Sequence, residues 1–131
     1  MDPNEEIEVD ESGHCDVRYR GLEQLDERLF EGGVASRITS LDLSHNSLTN
    51  VPKSIGFLSG LQELNVACNN LTSIDGDGIA KLKQLRVLKL NGNAISSIPS
   101  SIGRCKRLET LIISENKLTE VPATLSDCSA L

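Results

Sequence analysis

His45 and Cys68 are a histidine and a cysteine whose positions in this sequence could support nucleophilic catalysis. A cysteine acts as a nucleophile when a base lies within hydrogen-bonding reach and a third group orients that base. The two residues occupy equivalent positions in consecutive copies of a repeated sequence, which predicts adjacent strands whose backbones are about 5 Å apart. Neither an oxyanion donor nor a pocket that would exclude water is indicated around them. The sequence therefore predicts no catalytic residue and no enzymatic activity.

Metal chemistry finds equally little support. The cysteines are spread along the chain at Cys15, Cys68, Cys105 and Cys128. A zinc site needs closely grouped ligands, so we expect Cys105 and Cys128 to act as small buried hydrophobic residues. The run Asp75-Gly-Asp77-Gly resembles the start of a calcium loop but lacks the later acidic ligands, which favours a solvated loop. We expect no metal and no cofactor.

A repeat governs the rest of the chain. Its turns are marked by asparagines 23, 24 and 23 residues apart, at Asn46, Asn69, Asn93 and Asn116. Each lies in the pattern L-x-x-L-x-L-x-x-N-x-L-x-x-[VI]-P, as in "ITSLDLSHNSLTNVP" and "LETLIISENKLTEVP". The second and third apolar positions are two residues apart, so they share one face of a β-strand. One copy is too small to bury its own apolar residues, which predicts that copies stack.

The asparagine of each copy has a structural role in this interpretation. Its amide offers two hydrogen-bond donors and one acceptor. Backbone groups lose their sheet partners where the chain turns away from the strand, and they must find others. We expect the asparagine side chains to supply those partners.

This pattern resembles the leucine-rich repeat family, strongly over residues 38–131 and weakly over residues 12–37. The segments "VPKSIGFL" and "IPSSIGRC" are similar to the intracellular 23-residue subclass, found in Ras-binding and Scribble-like scaffolds. The resemblance implies an α/β solenoid: a curved right-handed coil with a parallel sheet on its concave face and short helical or irregular convex segments. It also implies that the concave face binds proteins.

The chain divides into three parts on this basis. Residues 1–11 are acidic and without periodicity, so we expect disorder. Residues 12–37 form a degenerate N-terminal capping repeat, in which Leu22, Leu25 and Leu29 predict a short amphipathic helix ended by Gly32 and Gly33. Residues 38–131 form four regular repeats and end on the first leucine of a fifth. We expect either a fragment of a longer array or a last turn that is covered by a partner or a second copy.

Composition and charge restrict the partners. The chain has only three aromatic residues, which suits a thin aliphatic core. Residues 1–31 carry a net charge of −8, whereas residues 32–131 carry +2. The acidic end repels phosphates and anionic lipid, so neither nucleic acid nor a membrane surface is favoured. No apolar run is long enough to span a membrane, and the N-terminus lacks the features of a signal peptide. We expect an intracellular, cytoplasmic protein with reduced cysteines.

The strand residues that point away from the core line the predicted concave face. The candidate protein-binding residues are Asp42, Ser44, His45, Glu63, Asn65, Val87, Lys89, Asn91, Thr110, Ile112 and Ser114. Ile112 is an apolar residue in an exposed row and could anchor a partner, although single exposed apolar residues also occur without a role.

We expect an interaction module, an adaptor or scaffold that acts in signal transduction. The resemblance implies a small GTPase or a phosphatase as the partner class, and no residue selects between them. The alternative is a structural subunit of a larger assembly, whose open C-terminal end is covered by neighbours or self-associates.

Overall fold

The computed structural model describes residues 7–31 and 33–131. The strands are β1 (His14–Asp16), β2 (Ser40–Asp42), β3 (Asn50–Val51), β4 (Glu63–Asn65), β5 (Ser73–Ile74), β6 (Val87–Lys89) and β7 (Thr110–Ile112). The α-helices are α1 (Val34–Arg37) and α2 (Gly76–Ala80). The 3-10 helices are Glu27–Phe30, Lys53–Phe57, Ser100–Arg104 and Ala123–Asp127.

One strand from each turn joins the main sheet. The strands run parallel in the order β1-β2-β4-β6-β7, so each turn of the coil lies beside the next. Their register aligns a single row of residues across the sheet: Asp16, Asp42, Asn65, Lys89 and Ile112. The sheet register read from the repeat is confirmed, and so is the solenoid with its parallel sheet.

A narrow aliphatic core lies behind this sheet. Leu43, Val66 and Leu90 are fully buried, side by side in consecutive turns. Burying each such side chain contributes roughly 1.5–3 kcal/mol. Ile113, at the same position in the last regular turn, is only partly buried. The apolar residues are therefore buried by the turns on either side, as the stacking argument predicts.

The asparagine side chains join consecutive turns. Nδ2 of Asn46 donates to the carbonyl of Val17 in the preceding turn at 3.0 Å and to its own turn at Leu43, 2.9 Å. Its Oδ1 accepts from the backbone N–H groups of Arg20 and Leu22. Asn69, Asn93 and Asn116 repeat this arrangement. The predicted role of the asparagines is confirmed.

The convex segments are short and irregular, as the resemblance implies. A second, two-stranded sheet pairs β3 with β5, and one helical turn follows in each copy. Asp75 accepts hydrogen bonds from the backbone N–H groups of Asp77 at 2.9 Å and Gly78 at 3.1 Å. The Asp75 carboxylate therefore caps α2, and the prediction of a solvated loop here is wrong.

The predicted amphipathic helix of the first turn is also wrong in extent. Only Glu27–Phe30 forms a 3-10 helix, which Asp26 caps by accepting from the N–H of Arg28. Leu22 lies outside it because the backbone of Asp26 is extended (φ −76°, ψ 125°), so the helix begins only after that residue. Leu22 and Leu29 are buried nonetheless, while Leu25 is half-buried. The apolar spacing therefore identified inward-facing residues in a turn that is mostly not helical.

Disorder is predicted for residues 1–11; residues 1–6 lie outside the described residues, as does the helix end predicted at Gly32. In the neighbouring segment, the Asp10 carboxylate accepts from the N–H groups of Ser12 and His14 and closes a turn before β1. Ile7 and Val9 pack against the core. The division of the chain into three parts stays a prediction. None of the helices within residues 7–31 and 33–131 is both long and apolar enough to cross a membrane.

Candidate functional site

The candidate site is the face of the main sheet that points away from the core. Alternation along each strand buries Leu41, Leu64 and Leu88 and leaves the residues on either side of each pointing outward. The predicted site residues lie in neighbouring rows on this face and along its edge, and one of them, Ser44, is buried with only 4% of its surface exposed. The rows are Glu63, Val87 and Thr110; Asp42, Asn65, Lys89 and Ile112; Ser44, Asn91 and Ser114; with His45 at the edge.

The N-terminal half of this face is charged but internally paired. Arg18 lies 2.9 Å from the carboxylate of Asp16 and 3.8 Å from that of Asp42. The hydrogen bonds from Arg18 lower the pKa of Asp16 to about 2. Asp42 also accepts from the backbone N–H and the hydroxyl of Ser44, at 2.9 and 2.6 Å. These charges already have partners, which makes this half a fixed polar surface.

The C-terminal half offers apolar side chains and one cation. Val87, Lys89 and Ile112 are half-exposed, and Lys89 has no ion pair with a carboxylate among the described residues. A shallow depression of about 100 Å³ extends from Val87 and Lys89 toward the N-terminal half, where Glu63, Asp42 and His14 also line it. Small-molecule pockets are roughly 300–1,000 Å³, so this depression fits a side chain of a partner rather than a whole ligand.

Sequence reasoning missed an aromatic stack at the edge of this face. The rings of Tyr19 and His45 lie 4.6 Å apart and 9° from parallel. Both residues have positive φ, 57° and 56°, as do Cys68 and Glu115 at the equivalent position of later turns. The only sequence signal was their shared position in the repeat, one residue before the turn asparagine in the regular copies. The shared position predicted that Tyr19 and His45 lie in one row across the sheet, but it did not predict the contact between their rings.

The residues considered for catalysis and metal binding are placed unfavourably for either. Cys68 is exposed on an open surface, and the ring contact of His45 is with Tyr19. Within the part of the chain that the structure describes, no three His, Cys, Asp or Glu residues are grouped to hold a metal ion.

The remaining cysteines are core residues. Burial raises the pKa of the Cys105 thiol to about 11 and also raises the pKa values of Cys15 and Cys128. The thiol of Cys105 donates to the carbonyl of Ile79, and that of Cys128 donates to Ile102. The prediction that Cys105 and Cys128 are small buried hydrophobic residues is confirmed.

Comparison with known proteins assigns the repeat. The family model "Leucine rich repeat" matches residues 36–95, and "Leucine Rich repeats (2 copies)" matches residues 83–126. Human Toll-like receptor 6 is 45% identical over 60 residues, 46% of this chain and 7% of the receptor. An Arabidopsis thaliana protein with leucine-rich repeats and a ubiquitin-like domain is 41% identical over 91 residues, 68% of this chain and 24% of that protein.

A solved structure extends the likeness to most of the chain. A leucine-rich repeat protein of Leptospira interrogans superposes with a TM-score of 0.75 and 25% identity, covering 92% of this chain and 36% of that protein. This chain thus spans well under half the length of each of these relatives. What they share with it is the repeat and its stacking.

Proposed function

The chain belongs to the leucine-rich repeat family, and on that basis we propose that it is an adaptor or scaffold that binds a protein partner through its concave face. The residues proposed to contact the partner are Asp42, Ser44, His45, Glu63, Asn65, Val87, Lys89, Asn91, Thr110, Ile112 and Ser114. Proteins of this family generally mediate protein–protein interaction, and this chain would act without catalysis of its own.

The observation that supports this proposal most is the half-exposed group Val87, Lys89 and Ile112 on two adjacent strands. A rigid parallel sheet holds these side chains in place before a partner arrives, so little entropy is lost on binding. Apolar residues beside one cation suit a partner that presents apolar side chains and a carboxylate. The ion pair between Asp16 and Arg18 would stay intact when the partner binds.

The finer features of the proposal come from the resemblance. The repeat spacing of 23–24 residues and the "IPSSIG" type segments support the intracellular 23-residue subclass. A cytoplasmic signalling role, with a small GTPase or a phosphatase as partner, follows from that subclass. Thiols that are buried in the core at Cys15, Cys105 and Cys128 suit a reducing compartment.

Site-specific photo-crosslinking tests the concave face directly. A photoreactive amino acid replaces the exposed Thr110 on β7, and a matched variant carries it at the exposed Thr119 beyond the turn. The proposal expects a crosslinked protein in cell extract from the Thr110 variant and none of the same mass from the Thr119 variant. Crosslinks to one partner from Thr119 alone would place binding elsewhere.

A second candidate function is that of a structural subunit whose last turn is covered by a neighbour. The observation that favours it is the set of apolar residues that are only partly buried in that turn: Leu111, Ile113, Leu118 and Leu125. Val121 and Leu131 are each 50% exposed beside them. Sedimentation of the purified chain separates the two candidates, because a subunit of this kind self-associates or aggregates alone and an independent adaptor stays monomeric.

A further inference from the structure

A second candidate surface lies on the convex side, where an aromatic groove crosses the first two turns. We define the aromatic groove as the depression of about 480 Å³ lined on its apolar side by Leu25, Phe30, Pro52 and Phe57. The rings of Phe30 and Phe57 meet edge to face, with centroids 6.2 Å apart at 62°. Phe57 is nevertheless 66% exposed. A large ring held in place and left in water marks a contact surface.

Four cations lie on the next two turns and form what we call the basic cluster: Lys81, Lys83, Arg104 and Lys106. All four are exposed. Lys81 and Arg104 are 23 residues apart, as are Lys83 and Lys106, so each pair occupies equivalent positions in adjacent turns. Among the described residues, none of the four forms an ion pair with a carboxylate; Lys106 donates only to the backbone carbonyl of Asp127. The four cations are therefore not ion-paired, although the Asp127 carboxylate lies beside the cluster: its Oδ2 would be 3.3 Å from a Cβ atom added at Gly103.

The basic cluster is limited to these two turns. The positions equivalent to Lys81 and Lys83 are Phe57 and Ser59 in the preceding turn and Asp127 and Ser129 in the last turn. The nearby Glu109 carboxylate is already paired with Arg86 at 2.9 Å. The cluster thus spans two adjacent turns, whose strands are about 5 Å apart.

The groove and the cluster form one continuous surface. A Cβ atom added to Gly56 would lie 2.9 Å from Cδ and 3.1 Å from Cβ of Lys81. The Lys81 stem therefore packs against the residue directly before Phe57, which lines the aromatic groove. Along the coil the surface runs from the acidic rim at Glu27 and Glu31, through Phe57, to the cations.

We propose that this surface binds an acidic segment of a partner protein, with an apolar side chain in the aromatic groove and carboxylates over the basic cluster. The aromatic ring supplies buried apolar area, and the cations supply complementary charge. The acidic rim at Glu27 and Glu31 repels carboxylates at the opposite end, which fixes the direction in which the segment lies. This surface is separate from the concave face and goes beyond the proposed function.

The size of the cluster favours a peptide over a larger polyanion. The Debye length at physiological salt is about 8 Å, so a short segment over the cluster is screened from the acidic first turn. A bilayer or a long nucleic acid also comes close to Glu27, Glu31 and the net charge of −8 on residues 1–31. Repulsion at that end offsets the attraction at the cluster.

Fluorescence anisotropy of a labelled synthetic peptide tests the proposal with the full chain. The probe holds a pair of leucines followed by a run of glutamates, and a peptide with glutamines in place of the glutamates is its control. We compare the wild type with the variants Phe57→Ser and Lys83→Glu/Lys106→Glu. Arg37→Glu/Lys117→Glu is the matched control, because both residues are exposed and the pair makes the same change in net charge away from this surface.

The proposal expects each of the two surface variants to weaken binding of the probe about tenfold, which corresponds to about 1.4 kcal/mol. The control variant should stay within about twofold of wild type. Equal weakening by the control variant, or no binding of the probe by folded wild type at physiological salt, overturns the proposal. Tighter binding of phosphatidylserine vesicles or a single-stranded oligonucleotide, lost in Lys83→Glu/Lys106→Glu, overturns the assignment to a protein.

Discussion

The side-chain amide of Asn69 donates a hydrogen bond of 3.1 Å to the carbonyl of Leu43, which belongs to the preceding turn of the coil. The same amide also donates to Val66 in its own turn, and Oδ1 accepts from the N–H of Leu48. One side chain thus satisfies backbone groups of two turns that leave the sheet together. This contact, repeated along the chain, joins the separate copies into one solenoid.

Removal of this amide should destabilise the protein strongly. In Asn69→Ala the buried N–H of Leu48 loses its partner, which costs about 1–3 kcal/mol, and the carbonyl of Leu43 loses one of its two side-chain hydrogen bonds, which costs about 0.5–1.5 kcal/mol. We expect the free energy of unfolding, measured in urea, to fall by about 3 kcal/mol. The exposed neighbour is the control, because Asn70→Ala should change it by less than about 0.5 kcal/mol. Similar losses in both variants would contradict the bridging role.

The close approach of convex segments gives a second prediction. A Cβ atom at Gly103 would lie 2.8 Å from both the carbonyl oxygen and Cβ of Thr124 in the next turn. Gly103→Ala should therefore lower the free energy of unfolding by about 1–3 kcal/mol, as overpacking does. At Gly60 the added atom would meet only the carbonyl of Ile38 at 3.8 Å. Gly60→Ala should leave thermal unfolding nearly unchanged, and a large loss there would contradict the packing described.

Much of this architecture could be predicted because the same residue types recur at the same positions in each copy of the repeat. Leu43, Val66 and Leu90 recur at one position, and a period of two along the strand decides which face they occupy. Asn46 and Asn69 recur where the backbone leaves the sheet, so their hydrogen bonds could be inferred from chemistry alone. The sheet register that lines up the candidate site follows from the same alignment.

The features that could not be predicted occur only once. The stack of Tyr19 on His45 joins a degenerate first turn to a regular one, and no second copy of it exists to reveal a rule. The carboxylate of Asp75 caps a helix that the other regular turns replace with 3-10 segments. The helix expected from Leu22 to Leu29 is shortened because the extended backbone of Asp26 delays its start to Glu27.

Thiol reactivity should follow burial. The thiolate is the reactive form of cysteine, and the raised pKa of Cys105, about 11, keeps that thiol protonated at mildly alkaline pH. We expect an aromatic disulfide reagent to modify the exposed Cys68 rapidly in the native protein. Mass spectrometry should detect labels on Cys15, Cys105 and Cys128 only after unfolding. Rapid native labelling of Cys105 would contradict its place in the core.

The contact between Asp16 and Arg18 gives a pH-dependent prediction. The pKa of Asp16 is lowered from 3.8 to about 2, so its contribution to stability is complete above pH 3.8 and is lost as pH falls toward 2. The effect on stability is small, because the side chains of Arg18 and Asp16 are 47% and 45% exposed to screening solvent. NMR titration of Asp16 should show its pKa rise in Arg18→Gln. An unchanged value would mean that Arg18 is not the cause.

The proposed function depends on the concave face, and affinity purification with wild type and Ile112→Glu tests it most directly. Val121→Glu is the control, because Val121 is an exposed apolar residue away from that face, and circular dichroism confirms that each variant is folded. The account predicts that Ile112→Glu loses a protein that wild type and Val121→Glu both retain. Recovery of the same proteins with all three would contradict binding through the concave face.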